Sequence, residues 1–246
     1  MKKIILLIGI IIMLIAAHLS FGQQLEGVIT YEVTVNLHRT IPADRQDMKA
    51  MVPEIRTIKQ QLFFNASESL YKPLIEDEDE DETVNRGGGM RIVFRQRMEV
   101  YCNASSGKII SLQEFLGKDY LIDDSVRIAP WKFGPETKTI MGYECKQAFY
   151  TDEEGKQTIT AWYSDRLRPS LGPERTNTLP GAVLAVDVNN GERITIAKKI
   201  ELRPLKKNEL KVPSGGQKTT QAEFRKMVDE RMKNGNNGGR VMMYQN

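Results

Sequence analysis

Apolar and polar side chains alternate along much of the chain, beginning with GVITYEVTV at 27–35. Every second residue from Ile29 to Val35 is apolar, and the residues between them are mostly polar. A period of two places alternate side chains on opposite faces of a strand. The pattern therefore predicts an antiparallel strand with one buried face.

Similar strand patterns follow in pairs, and each pair is separated by a short polar turn. The turns lie at 65–67, 103–107, 152–156 and 190–191. Asn190-Gly191 is the strongest short hairpin signal, because Asn and Gly both tolerate positive φ angles. The sequence predicts a mainly β fold, in which an antiparallel meander forms an open half-barrel or a strongly curved sheet.

Two segments break the strand pattern with helical spacing. A short helix is predicted near 44–52, where Met48, Met51 and Val52 precede Pro53. A second is predicted near 220–234, starting at a capping box formed by Thr220 and Glu223. Its apolar stripe consists of Phe224, Met227, Val228 and Met232. Such a stripe either completes the core or forms a lid over a hydrophobic groove.

The N-terminus has the organisation of a secretory signal peptide. Lys2 and Lys3 precede an apolar run at 4–17, and small residues follow before Gln23. We expect a signal peptide at 1–22, a single β-rich domain at 23–234 and a flexible tail at 235–246. No lipobox cysteine lies at the predicted cleavage point, so the expected location is the periplasm or the exterior, with no membrane span after signal removal. An uncleaved N-terminal anchor is the alternative.

Charge and motifs exclude several function classes. The formal net charge is +3, and removing Lys2 and Lys3 leaves +1, so nucleic-acid binding is not expected. His38 is the one histidine after the predicted signal, and no G-x-S-x-G, HExxH or CxxC motif occurs. The acidic run 76–82 lacks the glycine and glutamate of an EF-hand loop. The sequence therefore predicts neither a cofactor nor a metal, and it leaves a carboxylate-based hydrolase open.

The two cysteines are Cys102 and Cys145, both in strand patterns. An even number of cysteines in an exported chain favours a structural disulfide between them. Two free thiols are the alternative.

The order of motifs from 142 to 191 resembles the GLPGLI family of exported bacterial proteins, whose biochemical activity is unknown. A G-Y-x-C-K-x-A strand is followed by an A-W-Y strand, a G-P turn and an L-P-G turn before an apolar strand. The matching residues are Gly142, Tyr143, Cys145, Lys146, Ala148, Ala161, Trp162, Tyr163, Pro169, Gly172, Pro173, Leu179, Pro180 and Gly181. The chain departs from the signature at Thr178, Ala182 and Val183.

The signature segment contains two rigid turns that predict a stiff loop between strands. Pro173 and Pro180 fix φ, and Gly172 and Gly181 permit tight turns. Trp162 and Tyr163 precede the loop, and alternation sends them to opposite faces, so one is expected in the core and the other at the base of the loop. The loop either shapes a tight crossover or presents a preorganised exposed surface to a partner. For the second interpretation, the candidate binding residues are Trp162, Tyr163, Pro169, Gly172, Pro173, Leu179, Pro180 and Gly181.

Together these features predict an exported, non-catalytic binding or accessory protein of the cell envelope. The resemblance implies a partner in an outer-membrane transport or assembly system, and a curved sheet also suits a lipid or hydrophobic ligand. The alternative is a carboxylate-based or metal-dependent hydrolase. Ser125 lies in an Asp-Ser-Val sequence similar to bacterial O-glycan acceptors, so it is a candidate modification site.

Overall fold

The structure is a computed structural model that describes residues 26–41, 43–75, 83–84, 92–93, 98–153 and 156–234. Strands take up 53% of the described chain, which confirms the predicted mainly β class. The predictions for the signal peptide at 1–22, the acidic run at 76–82 and the tail at 235–246 lie outside the described residues.

The described ranges contain fourteen strands and three helical segments. The strands are β1 Gly27–Asn36, β2 Ile55–Phe64, β3 Glu68–Pro73, β4 Thr83–Val84, β5 Ile92–Val93, β6 Met98–Asn103, β7 Lys108–Phe115, β8 Lys118–Ser125, β9 Lys132–Ile140, β10 Tyr143–Asp152, β11 Gln157–Ser164, β12 Ala182–Val188, β13 Arg193–Leu202 and β14 Gln217–Thr219. The helices are α1 Leu37–Thr40, the 3-10 helix η1 Ala43–Ala50 and α2 Gln221–Asn234. Within the described part of the chain, no helix has the length and hydropathy that a membrane crossing requires.

Twelve strands form one sheet in the order β14-β8-β7-β6-β3-β2-β1-β13-β12-β11-β10-β9. The sheet consists of two antiparallel meanders, and β1 pairs with β13 to join them. β14 is the exception, because it pairs with β8 in parallel. The sheet ends at β14 and β9 and does not close. β4 and β5 form a separate two-stranded pair.

One buried cluster extends across most of the width of the sheet. Val100 and Cys102 of β6 belong to the same buried cluster as Cys145 of β10 and Trp162 of β11. β6 and β10 are seven positions apart in the sheet, which corresponds to about 34 Å in a flat sheet. The cluster also contains side chains of the strands between them, so it covers one continuous face of the sheet. The sheet is open and curved, which confirms the predicted curved meander. We call the face that carries this cluster the concave face.

The β12–β13 hairpin forms where the Asn-Gly signal predicts it. Asn189 and Asn190 have φ angles of 53° and 52°, and Gly191 follows with 92°. The Arg39 guanidinium donates hydrogen bonds of 2.7 Å to the carbonyl oxygens of both asparagines. Left-handed residues and an arginine from α1 therefore fix this turn.

The predicted short helix near 44–52 corresponds to η1, but its geometry is 3-10 with a kink at Arg45. Met48 is buried in a cluster with Val33 and Val35 of β1. α1, a single turn that precedes η1, was not predicted. These segments together cover the end of β1.

The predicted C-terminal helix is present as α2, and its capping box is confirmed. The Thr220 N–H donates to the Glu223 carboxylate at 3.0 Å, and the Glu223 N–H donates to the Thr220 hydroxyl at 3.2 Å. Phe224 and Val228 pack against a concave-face cluster of Phe115, Tyr120 and Ile122. The apolar stripe of α2 therefore forms core rather than the cover of an open groove. The Met232 side chain lies outside the described residues.

Replacing Phe224 with alanine tests how strongly α2 is held to the sheet. Phe224 makes edge-to-face contacts with Phe115 and Tyr120 at centroid distances of 5.9 and 5.5 Å. We expect Phe224→Ala to lower the free energy of unfolding by about 3 kcal/mol, because it leaves a cavity. The exposed Asp229→Ala is the control and is expected to change it by less than about 0.5 kcal/mol. Urea denaturation measures both, and equal effects would mean that α2 does not contribute to the core.

Candidate functional site

The segment at 165–181, which connects β11 to β12, lies against the concave face instead of projecting into solvent. We call this segment the strap. Leu167, Leu171 and Leu179 are 4%, 1% and 1% exposed, respectively. Leu167 and Leu171 pack in the concave-face core, and Leu179 packs with Val183 and Tyr163 in a cluster of the opposite face. The strap is therefore an integral part of the packed structure.

Backbone hydrogen bonds fix the first part of the strap to the start of β12, into which its last residue leads. The Ala182 N–H donates to the Leu167 carbonyl at 2.9 Å, and the Val183 N–H donates to the Leu171 carbonyl at 2.8 Å. These bonds place the two ends of the strap side by side. The intervening residues have to fold back over the sheet.

The two signature glycines are required by close packing. A Cβ at Gly181 would lie 2.1 Å from the Ser164 carbonyl oxygen, and the φ angle there is +156°. A Cβ at Gly172 would lie 2.5 Å from the Thr176 hydroxyl oxygen. Both contacts are shorter than any side chain tolerates. The glycines therefore serve the packing of the strap ends.

Two consecutive residues tie the strap to opposite parts of the sheet. The Glu174 carboxylate pairs with Arg193 of β13 at 2.6 Å. The Arg175 guanidinium pairs with Asp124 of β8 at 2.9 Å and donates to Gln221 of α2 at the same distance. β8 and β13 are six positions apart in the sheet, about 29 Å if it were flat. The strap thus spans the concave face from one side to the other.

The left-handed backbone at Glu174 is part of this arrangement. Glu174 has a φ angle of +54°, which is uncommon for a residue that is not glycine.

The polar side chains that follow Arg175 also form hydrogen bonds. Asn177 donates to the Cys102 thiol at 2.6 Å, and the Trp131 indole donates to the Thr178 hydroxyl at 2.9 Å. Sequence reasoning identified the strap but missed Glu174, Arg175 and their partners Arg193 and Asp124.

Trp162 and Tyr163 point to opposite faces of β11, as the alternation predicts. Trp162 belongs to the concave-face core, whereas Tyr163 packs on the other face with Ala148 and Val186. Their exposures are 7% and 5%, so both are buried. Lys138 lies 3.7 Å above the centre of the Trp162 ring, in a cation–π contact.

Most of the candidate binding residues are inaccessible to a partner. Gly172, Pro173, Leu179 and Gly181 are buried together with the two aromatic residues, and Pro169 is half-buried. The prediction of an exposed loop is therefore wrong for most of its length, because buried leucines and ion pairs hold the loop within the fold. Arg166, Arg168, Ser170 and Pro180 remain exposed. Together with Pro169 they form what we call the strap corner.

Ion pairs surround the strap corner. Asp165 pairs with Lys146 at 2.6 Å, and Arg166 lies 3.8 Å from Glu144. The hydrogen bond and charge of Asp165 raise the pKa of Lys146, and Lys146 correspondingly lowers that of Asp165. Arg166 and Arg168 carry the positive charge of the corner.

Cys102 and Cys145 are both free and buried, so the predicted disulfide is not present. Cys102 lies on β6 and Cys145 on β10, and the strap reaches the first through Asn177. Burial raises the thiol pKa of both cysteines, that of Cys145 to about 11. Neither thiol therefore has the lowered pKa of a reactive cysteine.

The carboxylates near the strap are committed to ion pairs. Burial raises the pKa of Asp124, but hydrogen bonds from Arg175 and from the Ser125 N–H outweigh it and leave the pKa below its usual range. Every described carboxyl group with a clearly shifted pKa has it lowered. A glycosidase general acid requires the opposite shift.

Other candidate groups show no catalytic arrangement. Within the described ranges, no group of three or more His, Cys, Asp or Glu residues is placed to hold a metal ion. The His38 ring lies 3.1 Å from the Val52 carbonyl oxygen. Ser125 is exposed at the end of β8, where a modifying enzyme can reach it.

Comparison with known proteins identifies a fold but not a family. No protein-family model and no characterised protein sequence matches the chain. Two crystal structures of PNGF-II are similar: in space group P21 the TM-score is 0.56 at 16% identity, and in C2 it is 0.54 at 17%. In both, the match covers 83% of this chain and 33% of PNGF-II. The chain thus spans about a third of PNGF-II, and the likeness concerns the fold alone.

Replacing Gly181 with alanine tests whether the end of the strap is a packing element. We expect a loss of more than about 3 kcal/mol in the free energy of unfolding, because the added Cβ collides with the backbone of β11. Gly142→Ala is the matched control: its φ is +81° and nothing lies within 4 Å of the added Cβ. Gly142→Ala places a side chain in the left-handed region without a collision, so we expect it to lower the free energy of unfolding by about 1 kcal/mol. Equal losses in chemical denaturation would contradict the collision.

The free thiols give a second test of the structure. Denatured, unreduced protein is expected to react with two equivalents of a thiol reagent, since both cysteines are free. The folded protein should react much more slowly, because both sulfurs are buried. A denatured protein without reactive thiols would establish the Cys102–Cys145 disulfide instead.

Proposed function

We propose that the protein is an exported, non-catalytic binding or accessory protein of the cell envelope, of the GLPGLI type. Its partner belongs to an outer-membrane transport or assembly system, and it docks at the strap corner. The signal-like N-terminus and the order of motifs from 142 to 191 motivate the location and the family.

The observation that carries the proposal is the rigid presentation of two exposed arginines. Leu167 lies between Arg166 and Arg168, is 4% exposed, and accepts a hydrogen bond from Ala182. The backbone that carries both arginines is therefore fixed. Binding through a preorganised backbone loses little conformational entropy, and guanidinium groups are well suited to interfaces.

Docking is favoured over transport of a hydrophobic ligand by the packing of the concave face. Its apolar side chains are buried beneath the strap and α2, through Leu167, Leu171, Phe224 and Val228. A hydrophobic ligand would have to displace these contacts. Native mass spectrometry that detects a bound lipid would favour the carrier.

Docking is also favoured over the hydrolase alternative. Glu174 and Asp124, the carboxylates beside the concave face, are both paired with arginine. A carboxylate pair for hydrolysis requires one group to be protonated, and an adjacent guanidinium opposes protonation. This pairing supports a binding role.

Substitution of the two corner arginines tests the proposal. The double variant Arg166→Ala/Arg168→Ala is expected to lose at least about tenfold in cross-linked capture of its envelope partner, because charge contacts at an interface contribute to affinity. Lys118→Ala/Lys132→Ala removes the same charge from exposed positions elsewhere and is expected to capture normally. Quantitative mass spectrometry of the captured proteins measures both. Leu179, Pro180 and Gly181 are unsuitable for this test as a block, since two of them are core residues.

Undiminished capture by the corner variant would contradict docking at this surface. Loss of capture by the control variant as well would indicate a nonspecific effect of charge. Thermal denaturation establishes that each variant is folded before capture is compared.

A further inference from the structure

The middle of the strap is held down by polar contacts alone. Its residues 174–178 are Glu-Arg-Thr-Asn-Thr, without an apolar side chain. The residues that flank them are different, because Leu171 and Leu179 are each 1% exposed. Apolar burial secures the ends of the strap, whereas ion pairs and hydrogen bonds secure its middle. We call residues 174–178 the strap centre.

Each contact of the strap centre reaches a different element. Glu174 binds β13 through Arg193, Arg175 binds β8 and α2 through Asp124 and Gln221, and Asn177 binds β6 through Cys102. The ion-paired side chains are partly accessible, with exposures of 34% for Arg175 and 26% for Glu174. Water can replace such contacts at small cost, so the strap centre has lower local stability than the leucine-anchored ends.

Polar groups of the concave face lie beneath the strap centre. The Tyr71 hydroxyl is close enough to Glu174 and Arg193 for their charges to act on it, and burial together with Glu174 raises its pKa. Tyr71, Val100 and Ser111 are successive partners across β3, β6 and β7. In the described part of the chain, neither the Tyr71 nor the Ser111 hydroxyl has a hydrogen-bond partner. Exposure to solvent would satisfy both groups, which favours an open state of the strap centre.

We propose that the strap centre is a lid that opens over Tyr71, Ser111 and Cys102 while the sheet and the strap ends stay folded. The two ion pairs, Glu174–Arg193 and Arg175–Asp124, are its latches. The opening does not depend on docking at the strap corner, because the corner residues belong to the leucine-anchored end.

Labelling of the two cysteines with a thiol reagent can detect this opening. Cys102 lies under Asn177 of the lid, whereas Cys145 is 0% exposed on β10. Opening of the lid exposes the first thiol alone, while global unfolding exposes both. In native buffer, Cys102 is therefore expected to be labelled faster than Cys145, and mass spectrometry of peptides assigns the rates.

Removing one latch sharpens the test. Asp124→Asn keeps the size of the side chain but replaces the ion pair with a weaker neutral contact, so we expect Cys102 labelling to rise about tenfold. The Cys145 rate should stay unchanged. Asp123→Asn is the matched control, because Asp123 is a neighbouring aspartate with 64% exposure that pairs with Lys108 instead. Glu174→Gln releases the other latch and should act like Asp124→Asn.

Hydrogen–deuterium exchange provides a measurement that does not use the thiols. The amides of 174–178 should exchange faster in Asp124→Asn, whereas those of β1 keep their protection. Equal labelling rates for both cysteines in every variant would overturn the proposal, as would unchanged exchange at 174–178. Faster exchange in β1 as well would also overturn it, since the variant would then unfold globally.

Discussion

The opposed ion pairs of Glu174 and Arg175 are the constraint that fixes the path of the strap across the sheet. They connect β13 and β8, which are six positions apart in the sheet, through two adjacent residues of one strand connection. A flat sheet cannot satisfy both pairs, so the path of the strap depends on the curvature of the sheet. Ion pairs of this kind add little net stability, because desolvation offsets the attraction. Their effect is specificity, because both pairs form together along only one path of the strap.

The residues that stabilise the strap differ from those that fix its path across the sheet. Burying a leucine contributes about 1.5–3 kcal/mol, and three buried leucines hold the strap ends. A net hydrogen bond contributes about 1 kcal/mol, and contacts of this weaker kind hold the centre. The ends therefore remain attached under conditions that release the centre. This difference connects the composition of the segment to its expected motion.

Short sequence patterns were sufficient to predict most of the strands, one hairpin and the C-terminal helix. Alternation identified the strands, Asn190-Gly191 the hairpin, and Thr220 with Glu223 the start of α2. The path of the strap could not be predicted in this way, because Arg175 meets Asp124 across 51 residues of sequence. The polar composition of 174–178 suggested exposure, although Glu174, Arg175 and Asn177 bind partners that are distant in sequence. The disulfide prediction was wrong for a similar reason, since cysteine count and compartment do not specify distance.

The signature residues thereby divide into two groups with different physical roles. Gly172, Leu179 and Gly181 are buried, and two of them leave no room for a Cβ, so they account for how the strap packs. Pro180 is exposed and Pro169 is half-buried, so this second group contributes less to that packing. Under the proposed docking, a change in the buried group would alter recognition only by moving the backbone beneath the corner, whereas a change in the exposed group would alter it directly. Thr178 stands where the GLPGLI signature has glycine, and its hydroxyl accepts a hydrogen bond from Trp131. Glycine has no hydroxyl, so this departure from the signature supplies a contact that holds the strap centre.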